Sequence, residues 1–165
     1  AEYNGGAVEV AGAELSYDKE IEISADLLFT LSFNYTYTES AFQETFLSGF
    51  SQWGLVRKGD SLPYLPEHMG RIELGVIGSN WSVVAAYRSQ SEMRDEPGRG
   101  DIEEGLHADQ YGIFDLTGTW RINQQWEAQL LLLNAFDEDA IVSHRPYGAR
   151  PSKPLTAVGR VKYNF

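Results

Sequence analysis

The chain has 165 residues and a formal net charge of −11, with 42% hydrophobic and 22% charged residues. That balance excludes a disordered chain, and the acidic excess argues against a nucleic-acid partner, which would need a basic face. The longest unbroken apolar run is five residues, Val83 to Tyr87, far short of the ~20 that a membrane-spanning helix requires. Cysteine is absent, so neither a disulfide framework nor a thiolate metal site is available. The length suits one domain. Aromatic residues are abundant, with nine Tyr, eight Phe and four Trp.

Ala1 to Gly6 has no basic n-region and no apolar h-region, so no signal peptide is expected there. From Val8 onward the dominant signal is period two, the mark of strands with two different faces. The first strand is expected over Val8 to Tyr17, broken by Gly12, with a short link from Asp18 to Ala25. The second, Leu28 to Thr38, sets Phe29, Leu31, Phe33, Tyr35 and Tyr37 against Thr30, Ser32, Asn34, Thr36 and Thr38. A long connection follows, about Glu39 to Glu67, in which Ala41 to Phe50 suggests at most a turn or so of helix.

Met69 to Ile77 is the third strand, and Gly78-Ser79-Asn80 is a hairpin turn into the fourth, Trp81 to Gln90. A second long connection, Glu92 to Gln110, leads to the fifth strand, Phe114 to Ile122, and Asn123-Gln124 is another tight turn. The sixth strand, Gln125 to Phe136, contains the run Leu130 to Leu133, which hides its alternation. A third long connection, Asp137 to Lys153, precedes the seventh strand, Leu155 to Phe165. Pro154 opens that strand, where a missing N–H is tolerated.

The fold class is therefore all-β, with about seven antiparallel strands and long and short connections alternating. Such a sheet could be a soluble sandwich with its apolar face in a dry core, or a transmembrane barrel with that face toward lipid. The polar face carries Glu14, Arg71, Glu73, Arg88, Asp115, Arg121, Glu127, Arg160 and Lys162. The apolar face places Phe29, Tyr35, Tyr37, Trp81, Tyr87, Trp120, Trp126, Tyr163 and Phe165 near strand ends, as aromatic girdles at membrane interfaces do. Strands of about ten residues also have the length that a tilted membrane strand needs. An antiparallel transmembrane β-barrel segment is the expected architecture.

Several motifs resemble one family. The last strand ends on Phe165, with Tyr163 and Val161 on the same face, which looks like the C-terminal signal read by barrel-insertion machinery. Asn134-Ala135-Phe136-Asp137 resembles the Asn-Leu-Phe-Asp motif near the end of TonB-dependent receptors, with Ala in place of Leu. Arg145-Pro146-Tyr147-Gly148-Ala149-Arg150-Pro151, Pro63-Tyr64-Leu65-Pro66-Glu67-His68 and Gly12-Ala13-Glu14-Leu15 are similar to segments of the same family. The set resembles the ferric-citrate and siderophore branch most.

The resemblance implies the C-terminal part of a 22-stranded barrel, residues 1–165, with the plug domain absent. It implies an outer-membrane receptor of Gram-negative type, for energised uptake of a ferric chelate such as ferric citrate or a siderophore. It implies as partners the outer-membrane lipid, the plug domain and remaining barrel strands, the TonB energy complex through the missing N-terminal part, and the insertion machinery. The long connections are then extracellular loops, the short ones periplasmic, and Ala1 an arbitrary start in a loop. A small passive barrel or porin, an adhesive barrel and a soluble sandwich are the alternatives.

For a ligand site, His144, Arg145, Tyr147, Arg150 and Lys153 cluster in the last long loop, and guanidinium forks around an aromatic suit an anionic chelate. The bland reading is that they fix the loop or pair with Asp137, Glu138 and Asp139. The acids Glu92, Asp95, Glu96, Asp101, Glu103, Glu104 and Asp109 fit no EF-hand spacing and read as a solvated loop. His68, His107 and His144 fall in separate connections and read as ordinary surface histidines. Arg71, Arg88, Arg121, Arg160 and Lys162 could guide an anion inward, but better suit contacts to a plug, or a solvated and mutually paired wall. No nucleophile elbow or phosphate loop occurs, so no enzyme activity and no cofactor is expected beyond the ferric chelate as transported ligand.

Overall fold

The computed structural model describes residues 6–102, 105, 107–144 and 148–165. Seven strands form one antiparallel meander: β1 (Val8–Ser24), β2 (Leu27–Phe42), β3 (His68–Gly78), β4 (Trp81–Gln90), β5 (Tyr111–Arg121), β6 (Trp126–Leu133) and β7 (Thr156–Tyr163). Each strand pairs with its neighbours in chain order, and β1 and β7 form the two edges. No helix forms among the described residues. The links at one end are tight: Ala25–Asp26, Ser79–Asn80 and residues 122–125. Residues 43–67, 91–110 and 134–155 form the long connections at the other end.

The register locks the two faces. Leu31, Leu74, Ala85, Leu116, Leu132 and Ala157 lie in one row across the sheet, and Phe29, Val76, Val83, Gly118, Leu130 and Gly159 in the next row on that face. Every aromatic placed on the apolar face by alternation falls on this side except Phe165, which lies past the end of β7, and all nine charged residues placed on the polar face fall on the other. Leu27 to Tyr37 is the length of chain that crosses a bilayer at a tilt of ~45°. The sheet is thus a segment of a transmembrane barrel wall, with the apolar face toward lipid and the polar face toward the lumen. The strands bury little because neither face meets a second layer. The buried residues gather around the long connections: Phe42, Val56, Met93, Ala108, Ile113 and Ala140.

Three expectations need correction. First, β1 does not stop at Tyr17 but runs to Ser24, so its link to β2 is Ala25–Asp26 alone. The stretch after Tyr17 keeps the alternation except at Lys19, which pairs with Leu31 on the lipid face: Asp18, Glu20 and Glu22 continue the lumen row of Glu14 and Ser16, while Ile21 pairs with Phe29 on the other side. Gly12 does not break the strand either. A Cβ there would sit 2.3 Å from the carbonyl oxygen of Tyr37, so glycine lets the two backbones approach. Second, Ala41 to Phe50 forms no helical turn: Ala41 and Phe42 end β2, and Phe46–Leu47 pairs with Leu55–Val56. Third, His68 is the first residue of β3, not part of a connection.

The facing assignment gives a quantitative expectation. Leu31→Arg in the full-length protein should cost about 2–4 kcal/mol of folding stability if mid-bilayer, and Thr30→Arg, one residue away on the wet face, clearly less. Reversible unfolding in lipid vesicles measures both, and equal costs would refute the assignment.

Candidate functional site

The three long connections interlock at one end of the wall. Ser61 N–H donates to the Gly98 carbonyl (2.7 Å) and Tyr64 N–H to the Arg94 carbonyl (3.0 Å), joining the first to the second. Asp60, buried, accepts from the Arg57 N–H (2.7 Å) and faces Arg99 Nε at 3.4 Å. Asp109 joins the second connection to the third: its N–H donates to the Ile141 carbonyl (2.8 Å), and its Oδ2 accepts the Ile141 N–H (2.6 Å). Phe42, Phe46, Phe50 and Trp53 add edge-to-face ring contacts below the first connection, with centroids 5.6–6.0 Å apart. Together these contacts make a cap.

Asp95 sits at its centre. It is 3% exposed and its Oδ2 lies 2.7 Å from His144 Nδ1, across 49 residues of sequence. Tyr64, held in a left-handed backbone conformation (φ 57°), brings its hydroxyl into the same cluster. Burial raises the Tyr64 phenol above its ordinary value, the neighbouring Asp95 carboxylate adds to the rise, and Ser143 opposes it.

The base of the third connection is closed by Asn134, which is 2% exposed and has φ 50°. Its Nδ2 donates to the carbonyls of Glu138 (2.9 Å) and Lys153 (2.8 Å), and its Oδ1 accepts the Glu138 N–H (2.9 Å). Asp137 Oδ1 accepts the Leu155 N–H (2.8 Å), which ties the turn to the start of β7. The Asn134 N–H donates to Asp115 Oδ1 (2.8 Å), while Asp115 Oδ2 holds Arg88 at 2.6 Å. The resemblance motif Asn134 to Asp137 is therefore a clamp that connects cap and lumen wall. Phe136, on the lipid side, stacks on Phe114 at 5.0 Å.

Of the expected ligand residues, His144 is engaged with Asp95, and Arg150 is exposed in the short pair Ile141–Ser143 with Arg150–Pro151. Arg145 and Tyr147 lie outside the described residues. The acidic stretch is only partly solvated: Asp95 and Asp109 serve the cap, while Glu103 and Glu104 lie outside the described residues. The histidines are not idle surface groups. His68 Nδ1 is 2.7 Å from the Tyr35 hydroxyl, and His107 Nε2 is 3.4 Å from Asp109. On the lumen wall Arg71 pairs with Glu73 at 2.6 Å and Arg160 reaches Gln129 at 3.3 Å. Glu127 lies opposite both Arg121 and Lys162, in alternating charge order. Val161 and Tyr163 are exposed on the lipid side, where Tyr163 packs on Trp126 (4.7 Å) and on the exposed Phe165 just past β7 (5.1 Å). Asp60 and Asp95 are not singled out as joints by sequence: the partners that make them so, Arg99 and His144, are distant along the chain.

A family model described as TonB dependent receptor-like, beta-barrel matches residues 2–135. Among solved structures the chain is similar to the siderophore receptor PiuA from Acinetobacter baumannii, at 18% identity and a TM-score of 0.70, over 94% of this chain and 22% of that one. It is also similar to the closed form of the ferric-catecholate import receptor Fiu from E. coli K12, at 18% identity and a TM-score of 0.58, over 96% of this chain and 28% of that one. The copper transporter OprC is similar at 16% identity and a TM-score of 0.64, over 96% of this chain and 24% of that one. The chain thus spans about a quarter of these receptors, and at such identity the likeness speaks for the fold. No protein of curated function matches it.

Two outcomes follow from the cap. Asn134→Ala removes three buried side-chain bonds and should cost on the order of 3 kcal/mol, read as faster amide exchange at Ile141 with the strands unaffected. Because the folded-state Tyr64 phenol is raised, the folded cap binds more protons than the unfolded chain above pH ~10. Cap stability should therefore be full below that pH and fall as pH rises through it. Tyr64→Phe should remove that alkaline component in a pH-resolved exchange experiment.

Proposed function

The chain belongs to the TonB-dependent receptor-like β-barrel family, and from that premise we propose that it forms the C-terminal part of the barrel of a receptor for energised uptake of a ferric chelate, a siderophore or ferric citrate. TonB-dependent receptors are outer-membrane proteins that work with TonB and a plug domain. In this reading those two partners are supplied by the rest of the receptor and the cell. The observation that carries the proposal is the interlocked cap on the same wall as a charged lumen face. A passive pore has no need of a cap joined to its wall, whereas a receptor that must first capture a dilute ligand does.

The long connections are extracellular here, and the short links periplasmic. Arg145, Tyr147 and Arg150 supply the cationic and aromatic contacts to the chelate, and His144, held by Asp95, positions the loop that carries them. Guanidinium forks match the carboxylate or catecholate oxygens of such a ligand. Val161, Tyr163 and Phe165 serve recognition by the insertion machinery. The lumen cations with wall partners, Arg71, Arg88 and Arg160, keep the wall in shape.

The test is radioactive iron uptake by cells that express the full-length receptor as their only route for a supplied chelate, ferric citrate or a ferric catecholate. Uptake should require the inner-membrane proton gradient, and Arg145→Ala with Arg150→Ala should weaken chelate binding by at least about tenfold, the effect of one charge-assisted bond. Uptake of small solutes that ignores the gradient would support the passive-barrel alternative and overturn the proposal.

A further inference from the structure

The lipid-facing side of β1 carries a cation. Ala11, Ala13, Leu15, Tyr17 and Ile21 make that side apolar, and Lys19 stands among them, opposite Leu31. Its diagonal neighbours across the pair are Phe29 and Phe33. Among the described residues no carboxylate and no hydrogen-bond partner meets its ammonium. The position is deep. Lys19 lies five residues before Ser24, where β1 gives way to the link Ala25–Asp26. At ~3.3 Å per residue and a tilt of ~45°, its Cα stands about 12 Å above that link, near the middle of an apolar band ~25 Å tall. A lysine escapes such a place by laying its stem toward the interface. Five bonds of ~1.5 Å carry the ammonium only about 6 Å from the Cα, so it stays roughly 6 Å short of the link. At that depth a lone lysine weakens the folding equilibrium by about 30- to 1000-fold.

Two lumen cations show how this wall neutralises charge. Arg71 pairs with Glu73 along β3, and Arg88 pairs with Asp115 from β4 across to β5. Both pairs form on the wet side, where the need is smaller. For Lys19 the direction that remains is the free edge of β1, since β2 occupies the other edge. Hydrocarbon obliges that free edge to pair with another strand, ~4.8 Å away. A carboxylate on the lipid face of that strand, directly opposite Lys19 or two positions to either side, lies within reach of a lysine. A second protein in the bilayer offers a carboxylate too, but the neighbouring strand is the one contact that β1 is bound to have.

We propose that Lys19 forms a lipid-facing ion pair with an Asp or Glu on the barrel strand that precedes β1, and that this pair fixes the register of the seam. A slip of one residue there turns the carboxylate into the lumen and leaves Lys19 alone in hydrocarbon. The inference rests on the reading of the chain as the C-terminal part of a larger barrel, which supplies that strand. The experiment uses the full-length receptor, whose sequence places the acid, in reversible unfolding from phosphatidylcholine vesicles at pH 8. Lys19→Leu should raise the unfolding constant at least about tenfold, because it strands a carboxylate in lipid. Replacing that acid with Leu should do the same, and the double variant should return at least to within about threefold of the unmodified receptor. Where Lys19→Leu fails to insert, the double variant should restore insertion. An unchanged or lowered unfolding constant in Lys19→Leu marks a lysine without a partner and overturns the proposal. A double variant no better than the weaker single does the same. So does a preceding strand with no acid within two positions of Lys19, including the case in which native mass spectrometry shows a second protein that Lys19→Leu releases. A full-length protein with no barrel strand ahead of β1 overturns instead the reading on which the proposal rests.

Discussion

Everything in this wall depends on a single constraint: backbone N–H and C=O groups inside a bilayer must be satisfied by other strands, because lipid offers them nothing. The antiparallel meander meets it with each strand bonded to its sequence neighbours. Once the pairing is fixed, period two decides the rest, since a slip of one residue would exchange lipid and lumen faces. The unbroken registers between β2, β3, β4 and β5 keep Leu31, Leu74, Ala85 and Leu116 together on one side. The same registers set Arg71 opposite Arg88 on the other, each relieved by a carboxylate, Glu73 and Asp115.

A soluble domain hides its apolar residues between layers. Here they divide between two environments. The strand residues face lipid, so exposure of Leu74 or Val83 is their native condition. The fully buried ones, Val56 and Ala108 among them, lie in the connections, where water would otherwise reach the backbone. The cap is accordingly the part of the molecule that resembles a small globular protein, with ring packing, buried carboxylates and side-chain bonds to backbone groups.

The sequence made the strands legible because their alternation is local and strong. Trp81 to Gln90 was readable to the residue. Where alternation ran through charges, as from Asp18 to Glu22, a strand looked like a link, since acids are rare in strands unless one face is wet. Resemblance singles out Asn134 to Asp137, but not how they act: a left-handed asparagine whose amide spans both ends of a connection cannot be read from four letters. The Asp95 and His144 contact was invisible for the same reason, as two loop residues in different connections share no pattern.

The clamp at Asn134 and Asp137 also bears on how such a chain can diversify. Because the base of residues 134–155 is pinned from both sides, the entry of β7 is set before the rest of that connection is placed. Lengthening a closed loop costs little, about 0.6 kcal/mol for each doubling. Insertions and replacements between Glu138 and Ser152 can therefore accumulate without disturbing the register of the last strand pair. The connection is an exchangeable module on a fixed socket, free to change in length and composition while the wall beneath it stays the same.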